Sequence, residues 1–93
     1  MMTIHKLNAM PYAQAEIRCY DDNSVTLISY TTAVAYIDPQ GWLCINGLYS
    51  ATTRRHIGAF VKQYANISYQ LAKELYLKNM AYNIMTGEVI DLC

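Results

Sequence analysis

The sequence predicts an α+β domain in which a three-stranded antiparallel meander is followed by two helices packed on one face of the sheet. The first half of the chain is rich in strand-forming residues and is divided by turn sequences, whereas the apolar residues of the second half recur with a helical period. With 93 residues, the chain is long enough for one small domain but not for two.

Three segments favour strands, and short polar turns separate them. The strands are predicted at Gln14–Tyr20, Val25–Ile37 and Trp42–Asn46, and the turns at Asp21–Ser24 and Asp38–Gly41. The long middle segment is predicted to bend at Thr31 and Thr32. Its alternation pattern places four residues on one face: Ile28, Tyr30, Val34 and Tyr36.

The two ends of the chain are predicted to flank this meander and the helices. Residues 1–12 read as an N-terminal arm that ends near Pro11 and either pairs with the sheet or stays loose. Residues 13–93 form the single domain. A short last strand is predicted within TGEVI, residues 86–90, because a glycine turn precedes β-branched residues there.

The second half of the chain predicts two helices. Ser50 is a good N-cap, and the residues Ile57, Phe60, Val61 and Tyr64 follow it at helical spacing. The second helix is predicted to begin at Asn66 or Ser68 and to reach about Tyr82.

The predicted second helix carries two apolar stripes on roughly opposite sides. One stripe consists of Leu71, Leu75 and Tyr82, and the other of Tyr69, Tyr76 and Met80. Either the helix is sandwiched inside its own fold, or one stripe meets the sheet and the other a second chain. Because a chain of this length has little material to cover both sides, we expect a homo-oligomer that uses the second stripe.

Composition excludes several classes of protein. The formal net charge is +0, which argues against both a basic nucleic-acid binder and an acidic mimic of DNA. Nine of the eleven aromatic residues are Tyr, which suits half-buried contact surfaces.

The three cysteines form no metal-binding pattern and are expected to be free thiols, with Cys93 exposed. No signal peptide or membrane span is evident, so we expect a cytoplasmic protein.

No catalytic pattern is evident in the sequence. The two histidines, His5 and His56, have no cooperating serine or cysteine motif, and no metal spacing or glycine-rich phosphate loop occurs. We therefore expect a protein that is not an enzyme and that uses no metal or cofactor.

The stretch SATTRRHIGAF, residues 50–60, is the candidate binding site. Free backbone N–H groups of a helix start, hydroxyls and guanidinium groups together suit a phosphate or a carboxylate. Arg54 and His56 are expected to flank the apolar stripe, while Arg55 points away from it. The candidate binding residues are Ser50, Thr52, Thr53, Arg54, Arg55 and His56. The competing interpretation is an ordinary amphipathic helix start.

Two motifs resemble a pattern found in small uncharacterised proteins of phages and prophages. SYTTAVAYID, residues 29–38, matches a strand of the form S-Y-x-T-x-V-A, and YSATTRRHIGAF, residues 49–60, matches the helix start S-x-T-T-x-x-H-I-x-x-F. The resemblance spans roughly residues 27 to 62. The resemblance implies that the chain originates from a mobile genetic element and that the helix start has a function. The second motif contains Ser50, Thr52, Thr53, Arg55 and His56.

The resemblance implies functional classes by analogy only. The leading expectation is a non-catalytic anti-defence inhibitor, including the anti-CRISPR class, that docks on a host effector protein or nucleoprotein. The alternative is a nucleotide or nucleic-acid binder that uses the helix start at residues 50–56 together with stacking tyrosines.

Overall fold

A computed structural model describes residues 1–92, which form one seven-stranded sheet with two helices. The strands are β1 Thr3–His5, β2 Ala15–Cys19, β3 Val25–Ser29, β4 Thr32–Ile37, β5 Trp42–Ile45, β6 Met80–Asn83 and β7 Val89–Asp91. The helices α1 Ala51–Ala65 and α2 Tyr69–Leu77 connect β5 to β6. All neighbouring strands are antiparallel and lie in chain order. The expected exposure of Cys93 concerns a residue outside the described range.

The prediction of a three-stranded meander is wrong, because the sheet has seven strands. The segment Val25–Ile37 is not one bent strand but the hairpin β3–β4, which turns at Tyr30 and Thr31. Tyr30 takes the left-handed backbone conformation, with φ of 57°, that this tight turn requires. No glycine or asparagine marks the turn, so the sequence predicts one strand with a bend at Thr31 and Thr32 and not a hairpin.

The predicted second helix also ends too late. α2 stops at Leu77, and Asn79 adopts a left-handed φ of 54° that takes the chain out of the helix and into β6. Met80 and Tyr82 therefore lie on a strand, and the stripe that was predicted to include Met80 does not exist on a helix. β6 inserts between β5 and β7.

The N-terminal residues are part of this fold. β1 pairs with β2, Leu7 is fully buried in the core, and the backbone N–H of Asn8 donates to the side-chain oxygen of Gln63 on α1. Of the two alternatives for the arm, the structure therefore has the one in which it pairs with the sheet.

Both helices begin at serine caps. The Ser50 hydroxyl accepts from the backbone N–H of Thr53, and the Ser68 hydroxyl accepts from that of Leu71. α1 packs on β3 and β4, and α2 packs on β5 and β6. Within residues 1–92, neither helix has the length and apolar character that a membrane span needs.

The core lies between the helices and one face of the sheet. α1 contributes Ile57, Phe60 and Val61, all fully buried. A β-bulge in β4 adds one more side chain of the sheet to the core. The pairing shifts from Leu27–Ala35 to Ile28–Ala33, which leaves one residue of β4 without a partner on β3. That extra residue, Val34, is fully buried, as is Ala35 beside it. The bulge therefore breaks the predicted grouping of Val34 with Ile28 and Tyr36.

Candidate functional site

A chain of side-chain hydrogen bonds joins the start of α1 to the end of β3. The Ser50 hydroxyl lies 3.3 Å from Oγ1 of Thr53, and Thr53 Oγ1 lies 3.0 Å from Oγ of Ser29. Ser29 Oγ in turn lies 2.8 Å from Nδ1 of His56. We call these four residues the hydroxyl–imidazole network.

Three members of this network are buried within the core. Ser29, Thr53 and His56 are only 2%, 4% and 1% exposed. Ser29 occupies the last inward position of β3, and Thr53 and His56 stand one turn apart on α1, on the side that faces the sheet. The network therefore satisfies polar groups that would otherwise be buried without partners.

Proton direction is fixed only at the helix start of this network. Ser50 donates to Thr53, and each hydroxyl has one proton to give. The Thr53–Ser29 bond can run in either direction. Ser29 donates to Nδ1 of His56 when the ring proton is on Nε2, and it accepts from Nδ1 when the proton is there.

Burial keeps His56 neutral. Desolvation lowers the pKa of His56 below its ordinary value of 6.5, because the charged imidazolium loses its hydration inside the core. Among residues 1–92, no carboxylate forms an ion pair with this ring. A neutral ring can hold the bond to Ser29 in either tautomer, as acceptor or as donor.

Tyr30 covers the buried imidazole at the surface. Its ring centroid lies 5.9 Å from that of His56, with the two planes tilted by 45°. Tyr30 is 55% exposed although its backbone adopts a left-handed φ that bulky residues rarely tolerate. Such strain persists only where the surroundings impose it, and it concentrates at functional positions.

Exposed aromatic and basic residues neighbour the hydroxyl–imidazole network along the chain. Tyr30 follows Ser29 and Tyr49 precedes Ser50, and both serine hydroxyls contact the hydroxyl of Thr53, so the backbones of both tyrosines lie close to the network. Tyr49 is 59% exposed and its ring packs on Gly47, where a Cβ atom would come within 2.6 Å of it.

Two arginines complete this exposed area. Arg54 donates from Nε to the backbone carbonyl of Leu48 at 2.8 Å, which fixes the loop that carries Tyr49. Arg55 is exposed, and no residue in the described part of the chain forms a hydrogen bond or ion pair with its guanidinium. We call the exposed residues Tyr30, Tyr49, Arg54 and Arg55 the Tyr30 surface.

A family model matches residues 5–79, which is most of the chain, and it is described as a family of unknown function (DUF8033). The chain belongs to this family. The matched range contains the whole hydroxyl–imidazole network and the whole Tyr30 surface, but it ends before β6 and β7. No curated protein and no solved structure matches the chain at a significant level.

The structure separates the predicted binding residues into two groups. Thr53 and His56 turn inward and Thr52 is half-buried, whereas Ser50, Arg54 and Arg55 are exposed. Only the second group is accessible to a partner without a change in the fold. The motif residues Ile57 and Phe60 are core residues.

The predicted interface residues lie on two elements, Tyr69 and Tyr76 on α2 and Met80 on β6. Tyr69 is half-buried against α1, where a Cβ atom on Gly58 would lie 3.3 Å from the Cβ atom of Tyr69. Met80 lines a small cavity of about 130 Å³ between α2 and the last strands, together with Leu71 and Val89. Tyr76 is the exposed member of the three.

Sequence reasoning missed Ser29 and Tyr30 as parts of this site. Ser29 was readable as an inward position, because it alternates with Leu27 in a strand of otherwise apolar inward residues. Its partner His56 is 27 residues away, and no local pattern connects them. Within residues 1–92, no group of His, Cys, Asp or Glu is placed to hold a metal ion.

Proposed function

We propose that this chain works by docking on a partner protein through the Tyr30 surface. The observation that carries the proposal is Tyr30 itself, a large aromatic residue held in a left-handed turn and left more than half exposed. A glycine or asparagine would form this turn with less strain. The turn therefore does not require the tyrosine ring, and we assign the ring to partner binding.

The composition of the surface supports a protein partner. Tyrosine and arginine are the residue types most enriched among the energetically dominant positions of protein interfaces. Tyr30 and Tyr49 offer rigid apolar area with a polar tip, and Arg55 offers an unpaired guanidinium for a carboxylate of the partner. The ordered loop at Leu48 reduces the entropy that binding would otherwise cost.

A docking role also fits the burial of the chemically reactive groups. The Ser29 hydroxyl and the His56 ring resemble a nucleophile and its base by distance alone, but both are almost fully buried, and no third group among residues 1–92 forms a hydrogen bond with the ring. A substrate cannot reach Ser29 Oγ without opening the core. The network acts instead as a support for the residues above it.

The more specific form of the proposal is an anti-defence protein that acts in the host cytoplasm. The partner would then be a host defence effector, either a protein or a nucleoprotein. The support is the resemblance of the two motifs to phage and prophage proteins, since both motifs meet in the hydroxyl–imidazole network and the Tyr30 surface.

Nucleotide or nucleic-acid binding at residues 50–56 stays a second prediction. The exposed Arg54 and Arg55 and the nearby tyrosines favour it, whereas the inward Thr53 and His56 leave few side-chain donors at the helix start. A nucleotide panel in a thermal-shift assay separates the two. A nucleotide at about 100 times its dissociation constant adds roughly 2.7 kcal/mol of stability.

The experiment is affinity capture from a bacterial lysate with the wild-type chain and two substituted chains. Tyr30→Asn keeps the left-handed turn and removes the ring, so the chain should stay folded and lose its stoichiometric partner. Tyr20→Ala is the matched control, because Tyr20 is exposed at the opposite end of β2. Partner identity is then checked with purified components.

Two results would contradict the proposal. One is that the wild-type chain recovers no stoichiometric partner. The other is that Tyr30→Asn retains its partner as fully as Tyr20→Ala does, while circular dichroism shows that both are folded.

A further inference from the structure

One face of the sheet has no helix on it. Along β2 to β5, Arg18 pairs with Thr26, Thr26 with Tyr36, and Tyr36 with Cys44. The residues between them on the same strands, such as Leu27 and Leu43, are fully buried against the helices. Because side chains alternate along a strand, the row from Arg18 to Cys44 points away from the helices.

Apolar side chains flank this central row. Ile28 and Trp42 lie on the same face by alternation, and Ile4 and Ile90 extend it to the two edge strands through their pairings with Arg18 and Ala81. We call this face, with Arg18, Thr26, Tyr36, Trp42 and Cys44 at its centre, the open face. Ile4 and Ile90 are both exposed.

Every other layer in the described part of the chain lies on the opposite side. α1, α2 and the buried N-terminal Leu7 all belong to the core beneath the helices. A large sheet face that carries Trp, Tyr and Ile is unusual on a protein that stays monomeric. No helix of residues 1–92 packs on this face, although Ile28 and Ala81 within it are themselves buried.

We infer that a second copy of this chain covers the open face, so that two copies form a dimer with their sheets stacked face to face. Charge favours this occupant. The face carries one acidic and one basic residue, Glu16 and Arg18, and these already bond to each other at 2.9 Å. With a net charge of +0, two copies do not repel each other.

The size of the face also matches what a stable dimer needs. The molecule extends 33 × 31 Å in its two long directions and 21 Å in the third, so a broad side that contains the open face spans at most about 1,000 Å². A standard interface buries about 800 Å² per partner. An interface between identical faces closes on itself through two-fold symmetry, and packed sheets lie about 10 Å apart. This surface is separate from the Tyr30 surface, so the dimer does not depend on the proposed docking role.

The sole tryptophan reports on this face directly. Trp42 is half-buried in the single chain and would lose water on dimerisation. We expect a particle of twice the 10.6 kDa chain mass in analytical ultracentrifugation. We also expect Trp42 emission to shift to the blue and iodide quenching to fall as the protein concentration rises through the dissociation constant.

A charge placed in the middle of the face tests the assignment. Arg18, the cross-strand partner of Thr26, already bonds to Glu16, so Thr26→Glu leaves each face with one excess negative charge. Burying that charge against the same charge of the second copy should raise the dissociation constant at least ~100-fold. Gln70→Glu adds the same charge at an exposed position of α2 and should leave the dimer intact. Circular dichroism verifies that both chains are folded.

Any of three results would overturn the inference. The first is a wild-type chain that sediments as a monomer, with Trp42 emission independent of concentration. The others are a Thr26→Glu variant that stays dimeric, and a Gln70→Glu variant that dissociates the dimer as strongly as Thr26→Glu does. If Thr26→Glu fails to fold, the concentration dependence of Trp42 quenching in the wild-type chain decides alone.

Discussion

Ser29 Oγ lies 2.8 Å from Nδ1 of His56 and fastens the end of β3 to the first turns of α1. The bond runs between two almost fully buried groups, and Thr53 extends it to the helix cap at Ser50. Elements that are distant in the sequence are thereby held in one geometry. The exposed Tyr30 and Tyr49 are the chain neighbours of Ser29 and Ser50, the serines of this network.

The stability of the chain should fall on mild acidification. The folded-state pKa of His56 is below its ordinary value of 6.5, so the unfolded chain binds the proton more readily. The contribution of His56 is therefore complete above that value and is lost as the pH falls through the folded-state pKa. Urea denaturation at about pH 7.5 and about pH 5 measures the difference.

His56→Gln is the control for this pH dependence, since glutamine does not titrate. The exposed His5 is present in both chains, and its effect cancels in the comparison. The prediction is wrong if His56→Gln loses as much stability as the wild-type chain over the same range, or if acidification stabilises the wild-type chain.

Loss of the Ser50 cap should cost more than loss of the Ser68 cap. Both hydroxyls accept a backbone N–H at the start of a helix, which is worth about 1 kcal/mol. Ser50 also donates to Thr53 and orders the rest of the network, whereas Ser68 has no such second bond among the described residues. Thermal melts of Ser50→Ala and Ser68→Ala test this, and equal losses would show that the network adds nothing to the cap.

Arg55→Ala should leave the free energy of unfolding within about 0.5 kcal/mol of the wild-type value. Arg55 is exposed and its guanidinium has no partner within residues 1–92. Arg54→Ala, the neighbouring control, removes the bond to the Leu48 carbonyl and should cost about 0.5–1.5 kcal/mol. Chemical denaturation measures both. A larger loss for Arg55→Ala would mean that its side chain has a structural role.

The helix starts were predictable because their signals are local. Ser50 and Ser68 are short polar residues just ahead of apolar residues at helical spacing, and both are caps in the structure. The hairpin at Tyr30 and Thr31 was not predictable in the same way, since neither residue marks a turn and the strand pattern continues through both.

The errors beyond α1 come from competing signals. The apolar spacing that links Tyr76 to Met80 and Leu75 to Tyr82 continues past Asn79, whose left-handed backbone ends the helical geometry. Asparagine tolerates that conformation, yet it also occurs inside helices. The helical spacing of the apolar residues therefore predicts a longer helix than the structure has. The pairing of Ser29 with His56 depends on how the helix packs against the sheet, and sequence spacing does not encode that contact.

A double-mutant cycle on Ser29 and His56 tests the central claim, that this pair locks the hairpin end to α1. Ser29→Ala leaves Nδ1 of His56 without its partner, and His56→Leu leaves the Ser29 hydroxyl without its imidazole partner, so each should cost about 1–3 kcal/mol. The account predicts that the double variant loses at least about 1 kcal/mol less than the sum of the single losses. Single losses that add to within about 0.5 kcal/mol would contradict it.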